Sequence, residues 1–273
     1  MSESRPQRFS GRRVLVTGAA SGIGLATARR LLDEGARVAM ADVRAIESSA
    51  GADLDSRVGA PGADPGPPGR VLPLLLDVTR EVQWTAAMHA IESRFGGLDI
   101  LVQCAGITGI DRPQNPDQVS LDDWRRVFAV NLDGAMLGSQ AALPLLRKGT
   151  RPAIVIVASL AGRLAAPGAA AYAASKAALA SFSRSLALHA AADPPIRVNC
   201  VLPGPIETPM WDAFLGHGAD RAAKMAGVAA DVPLRRFGRA DEVAAAIAFL
   251  ASDEGAFITG AELVIDGGQS LRS

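Results

Sequence analysis

Short runs of Val, Ile and Leu alternate along this chain with longer stretches whose apolar residues recur every three or four positions. The runs predict strands at Arg13–Thr17, Arg37–Ala41, Val71–Leu76, Asp99–Gln103, Ala153–Ala158, Arg197–Val201 and Glu262–Ile265. They are apolar at successive positions, as in a parallel sheet covered on both faces. The longer pattern predicts helices near 22–34, 80–95, 122–146, 172–191 and 240–251. Leu25, Ala28 and Leu32 form a stripe at helical spacing, and Gly35 is placed to end that helix. Ser120 offers an N-cap with Asp123 three residues on. Such a βαβα succession predicts an α/β fold: a single-domain, Rossmann-type, doubly wound parallel sheet of about seven strands with helices on both faces.

One stretch breaks the rhythm. Gly59 to Gly69 is built almost wholly of Gly, Pro and Ala, which suits neither helix nor strand. It is expected to be a mobile surface loop between the second and third strands. No internal repeat or second domain appears, so 1–273 reads as one domain with residues 1–11 as a flexible N-terminus.

Composition narrows the functional classes. Aromatic residues are only 4% of the chain, so the core must be mostly Ala, Val, Leu and Ile. Formal net charge is zero and no long basic block occurs, which argues against nucleic-acid binding and electrostatic membrane binding. Cys104 and Cys200 lie apart in apolar runs and read as free thiols of an intracellular protein. His89, His189 and His217 are isolated, and no metal site is expected. The polar stretch Met1 to Arg13 lacks the apolar segment of a signal peptide, and no run of about 18 apolar residues suggests a membrane span. A cytoplasmic protein is expected.

Two motifs carry candidate chemistry. The first strand runs into Thr17-Gly18-Ala19-Ala20-Ser21-Gly22-Ile23-Gly24, where a helix begins. Glycines there allow a tight turn, let backbone N–H groups approach a pyrophosphate, and set that anion at a helix N-terminus. The spacing differs from the G-x-G-x-x-G fingerprint, but the strand-to-helix context is the one the mechanism needs. The second strand ends in Asp42, whose carboxylate suits the adenosine ribose hydroxyls and would repel a 2′-phosphate. Asp77-Val78, after the third strand, suits the adenine edge or the start of the next helix. The second motif is Tyr172 with Lys176, one helical turn apart and on one face. A phenol beside an ammonium is either an exposed helix pair or an acid/base pair whose cation lowers the phenol pKa.

With these residues in place, the chain resembles the short-chain dehydrogenase/reductase family in its compact single-domain branch. The resemblance runs from about Arg13 to Gly268. It is carried by the glycine turn, Asp77-Val78, Cys104-Ala105-Gly106, Asn131 within Val130-Asn131-Leu132-Asp133-Gly134, Ser159, Tyr172 with Lys176, Pro203-Gly204, Thr208, and a closing Gly260…Asp266-Gly267-Gly268. It implies the strand order 3-2-1-4-5-6-7 and a catalytic tetrad of Asn131, Ser159, Tyr172 and Lys176. Tyr172 would be the general acid/base. Lys176 would lower its pKa and bind the nicotinamide ribose, and Ser159 would steady the substrate oxygen. Asn131 would bend its helix and hold a water in a proton relay behind the lysine. The cofactor would meet Gly18, Ser21, Gly22, Ile23, Gly24, Asp42, Val43, Asp77, Val78, Cys104, Ala105, Gly106, Tyr172, Lys176, Pro203, Gly204, Ile206 and Thr208.

There are departures from the family pattern. Gln103-Cys104 stands where Asn-Asn is usual, which implies a looser link across the sheet. Members preferring NADP carry a basic residue at the place of Ser21 or directly after Asp42. Ser21 and Val43 therefore imply NAD, with Arg44 one place further on as the counter-signal.

A lid over 205–227 is expected to cover the substrate with Met210, Trp211, Phe214 and Leu215, hinged at Gly216 and Gly218. Leu160, Arg163 and Leu164 are expected to line the same pocket. The expected activity is hydride transfer between NAD(H) and a largely apolar or cyclic secondary alcohol or ketone. The rivals are an NADPH-dependent 3-oxoacyl thioester reductase and a dinucleotide-binding protein without turnover. The resemblance also implies a homotetramer built through the helices near 122–146 and 172–191 and the last strand. The alanine face of Ala173, Ala177, Ala180, Ala187 and Ala191 would permit close packing between copies.

Overall fold

The computed structural model describes residues 7–46, 69–109, 112, 114–216 and 218–272. Seven strands form one parallel sheet: β1 (Arg13–Thr17), β2 (Arg37–Asp42), β3 (Val71–Leu75), β4 (Ile100–Gln103), β5 (Ala153–Val157), β6 (Arg197–Pro203) and β9 (Glu262–Ile265), in the order β3-β2-β1-β4-β5-β6-β9. The predicted order is therefore found, with the seventh sheet strand ninth in the chain. Two short strands, β7 (Ile206–Glu207) and β8 (Gly238–Arg239), pair with each other outside the main sheet. They escape sequence reading because two residues carry no period.

Alternate side chains of each strand feed two cores. Val14, Val16, Val38, Met40, Ile100 and Val102 face α1 (Gly22–Asp33) and α8 (Ala240–Ala251). Leu15, Ala39, Leu101, Ile154, Ile156 and Cys200 face α2 (Glu81–Phe95), α4 (Gly134–Leu146) and α5 (Ala170–Ala190). The outer strand β3 carries Pro73 opposite Met40. Proline removes a ladder donor and is tolerated at such an edge.

The helix predicted at 122–146 is not uniform. It begins as α3 (Leu121–Phe128), widens into a π turn at Ala129–Asp133, and continues as α4. Ser120 caps α3 as expected, accepting from the Asp123 N–H at 3.1 Å and donating to the Asp123 carboxylate at 2.7 Å. Two further helices, α6 (Asp212–Leu215) and α7 (Arg221–Ala230), complete the fold. No described helix is long and apolar enough to cross a membrane.

Two expectations need correction. Residues 7–11 are anchored and not flexible. Phe9 is wholly buried, its N–H bonds the Glu34 carbonyl at 2.9 Å, and Arg8 pairs with the Glu34 carboxylate. A single phenyl ring seated beside α1 gains about 2–3 kcal/mol, enough to hold a short arm. The alanine face of α5 is divided: Ala180 and Ala187 are buried in the chain's own core, leaving Ala177 and Ala191 exposed. Residues 1–6 and 59–68 of the expected N-terminus and loop lie outside the described residues.

Candidate active site

The ends of β1, β4, β5 and β6 open onto one cleft of about 980 Å³. Its first wall is the turn from β1 into α1. Gly18 has φ +65°, and a Cβ there would stand 2.9 Å from the Ala105 nitrogen. A Cβ on Gly24 would meet the Gly18 carbonyl at 2.2 Å. Both positions require glycine, and the closeness leaves the first turn of α1 facing the cleft. Ser21, the N-cap, does not cap that turn with its side chain, so the leading N–H groups stay open to an anion. This uncapped cradle fits a dinucleotide pyrophosphate.

Asp42 is almost wholly buried at the end of β2 and organises the turn. One oxygen accepts from the Ala20 N–H at 3.0 Å, and the other accepts from the Arg44 N–H at 3.0 Å. A carboxylate has about four lone-pair sites, so capacity remains for ribose hydroxyls. The Arg44 side chain folds back to donate to the Ser21 hydroxyl at 2.8 Å. Asp77 accepts from the N–H and hydroxyl of Thr79, forming the turn before α2, while Val78 lines the cleft. Thr17 links β1 to the loop after β4 by accepting from the Cys104 and Ala105 N–H groups at 3.2 and 3.3 Å. Gln103 crosses to Ser139 at 2.9 Å, so a link is made one residue before Cys104. Burial pushes the Cys104 thiol up to about 12, which keeps it protonated in the cleft wall.

The proposed catalytic groups meet opposite this wall. Ser159 follows β5, and Tyr172 and Lys176 project from α5. Lys176 is buried, donates to the Val157 carbonyl at 2.8 Å, and sits 5.8 Å from the centre of the Tyr172 ring. Burial pulls its pKa down to about 8. Burial also raises the Tyr172 phenol, and a hydrogen bond with Ser159 offsets part of that rise. The phenol is thus raised and not lowered as expected, because desolvation of the phenolate outweighs the hydrogen bond with Ser159.

Asn131 lies in the π turn and does not line the cleft. Its side chain accepts from the Ile107 N–H at 2.8 Å and donates to the Ile107 carbonyl at 3.0 Å and the Ser175 hydroxyl at 2.9 Å. Ser175 donates in turn to the Tyr172 carbonyl at 2.8 Å. The asparagine therefore ties the loop after β4 to the turn of α5 that carries Tyr172.

Leu160, Leu164, Met210, Trp211 and Phe214 line the cleft. Trp211 packs against Phe214 and Phe237, with ring centres 5.2 Å apart in each case. Leu215 is buried under the lid and does not line the cleft. Arg163 does not line the cleft: it pairs with Glu262, which also holds Arg184, in a neighbouring depression that shares Ser159 with it. Sequence reading missed Val228 of α7 and Gln269, which reach the cleft from distant segments. Nothing local marks either residue. Gln269 had only its place after Asp266-Gly267-Gly268 as a signal.

The family model described as enoyl-(acyl carrier protein) reductase matches residues 18–270. A cis-4-hydroxycyclohexanecarboxylate dehydrogenase of Sinomonas cyclohexanicum is 41% identical over 96% of this chain and 98% of its own length. A 3-oxoacyl-[acyl-carrier-protein] reductase of Thermotoga maritima is 38% identical over 96% of this chain and 98% of its own length. The solved structure of levodione reductase superposes with a TM-score of 0.86 at 32% identity, covering 97% of this chain and 100% of that one.

Proposed function

Since this chain belongs to the short-chain dehydrogenase/reductase family, we propose that it is an NAD-dependent dehydrogenase of largely apolar, cyclic secondary alcohols. The observation that carries this reading is one cleft joining an uncapped glycine turn, the Tyr172–Ser159–Lys176 group and an apolar lid. The nicotinamide, when bound, supplies the hydride acceptor. Tyr172 takes the hydroxyl proton during oxidation and returns it during reduction. Ser159 hydrogen-bonds the substrate oxygen and steadies its developing charge. Lys176 faces the nicotinamide ribose. Asn131 acts at one remove, through Ile107 and Ser175.

Asp42 supports NAD. Its buried carboxylate would repel a 2′-phosphate brought to the end of β2, an effect that the Arg44 guanidinium, 3.4 Å from one carboxylate oxygen, reduces. The ring preference is supported by the walls of Leu160, Met210, Trp211 and Phe214 and by the likeness to a hydroxycyclohexanecarboxylate dehydrogenase. One observation favours a second reading: the Arg44 guanidinium at Ser21 would welcome a 2′-phosphate, as an NADPH-dependent 3-oxoacyl thioester reductase requires. We also propose a cytoplasmic homotetramer.

The test is reduced-cofactor formation, followed by absorbance, over a panel of cyclic secondary alcohols with NAD and NADP in parallel. Turnover with NAD that disappears in Tyr172→Phe is the expected result. Turnover with NADP alone would overturn the Asp42 argument. Cofactor binding without turnover of any alcohol or ketone would leave a non-catalytic dinucleotide-binding protein.

A further inference from the structure

The C-terminal turn brings Gln269 to the wall of the cleft beside Gly204. Asp266 builds this turn by accepting from the Gly268 N–H at 2.8 Å and the Ser270 N–H at 2.7 Å. Gly267 and Gly268, at φ +62° and +88°, let the chain double back between them. The turn is wedged between the two feet of the lid. On one side, a Cβ on Gly204 would meet the Gln269 Oε1 at 3.4 Å. On the other, a Cβ on Gly267 would meet Val232 at 2.7 Å, and the Leu234 N–H bonds the Gly267 carbonyl at 3.2 Å.

Gln269 is thereby placed on a fixed support with its carboxamide over Gly204, lining the cleft. That amide makes no hydrogen bond with the described residues. The same cleft is lined by Met210, Phe214 and Val228, which are apolar. An amide offering both a donor and an acceptor within apolar walls is the usual composition of an orienting contact in a ligand pocket.

We propose that Gln269 reads a second oxygen on the substrate, remote from the carbinol, so that the preferred ring alcohols are bifunctional. This rests on the alcohol dehydrogenase reading above and deepens it. The substrate would enter with its reacting carbon at Tyr172 and Ser159, its ring against the lid, and its far hydroxyl or carbonyl at the carboxamide. An analogue lacking that oxygen leaves the amide unpaired in a drier site, which is where hydrogen-bonding pockets gain their selectivity.

The experiment compares cyclohexane-1,4-diol with 4-methylcyclohexanol, in which a methyl group replaces the far hydroxyl. The wild type is expected to favour the diol by about tenfold in kcat/KM beyond the twofold statistical factor of its two carbinols. Gln269→Leu is expected to abolish that preference, change 4-methylcyclohexanol by less than about twofold, and leave the KM for NAD unaltered. Gln269→Asn, with a shorter amide, is expected to restore part of the preference. A diol preference that survives in Gln269→Leu would overturn the proposal while leaving the dehydrogenase reading intact. Equal losses on both alcohols with a raised KM for NAD would also overturn it, by assigning the amide to the cofactor. Turnover of neither alcohol by the wild type would overturn this proposal and the reading beneath it together.

Discussion

Lys176 holds an ammonium where the fold disfavours one. With its pKa pulled from an ordinary 10.5 to about 8 by burial, its charge costs about 3 kcal/mol at neutral pH. The unfolded chain binds that proton more tightly, so the cost is complete below about pH 8 and fades as pH climbs toward the ordinary lysine value. Without added cofactor, the wild type should therefore gain stability relative to Lys176→Met between about pH 8 and 10 in urea unfolding. A constant difference across that window would refute this. Tyr172 leads to a kinetic prediction. Its phenol is raised by burial, so kcat/KM for alcohol oxidation should rise through the alkaline range as phenolate forms, with ketone reduction moving the opposite way. Tyr172→Phe should lower oxidation by about a thousandfold or more. The spacing of Tyr172 and Lys176 was legible as a pair on one helical face. The sign of the phenol shift was not, because it depends on how deeply the ring is buried, and no local pattern encodes depth.

The helix that carries Asn131 shows what an element can hide. The apolar period from 122 to 146 reads as one helix, and the chain does run continuously through it. The π turn at Ala129–Asp133 becomes visible only when Asn131 is seen bonding Ile107 and Ser175. Such one-turn widenings gather at functional sites. Asn131→Ala would leave both Ile107 backbone groups and the Ser175 hydroxyl short of a partner, at about 3 kcal/mol. We expect a lower urea midpoint together with a reduced kcat, because Ser175 also steadies the backbone at Tyr172. A loss of stability with kcat intact would confine Asn131 to the scaffold. The strand-to-helix glycine turn was legible from its spacing, although only Gly24 answers a local demand, at the Gly18 carbonyl, while Gly18 is held by distant Ala105. In Gly24→Ala, the new Cβ would collide with the Gly18 carbonyl, and a sharply raised KM for NAD is expected. The parts of the segment after β6 were not readable. α7 buries no residue, so no core contact marks it, and β7 and β8 are two residues each, too short for alternation to announce.

At the scale of the molecule, the sheet order was readable because buried parallel strands are apolar on both faces and their crossovers are helical. The anchoring of Phe9 and the reach of Gln269 were not, since each joins residues far apart in sequence. The proposed tetramer belongs to this scale. Phe249 and Phe257 are exposed, and β9 pairs only with β6 among the described residues. Removing the chain beyond Asp266 should lower the mass measured by light scattering, and an unchanged mass would refute that role for the tail. The two margins of the sheet are chemically unequal. β3 bears Pro73, which withholds a donor, whereas β9 (Glu262–Ile265) contains no proline. A molecule with one adhesive margin can join a second copy about a twofold axis, but it cannot recruit a third in line. Strand-to-strand association of this chain should therefore stop at closed pairs, and ordered fibrils should be a poor route for its native state.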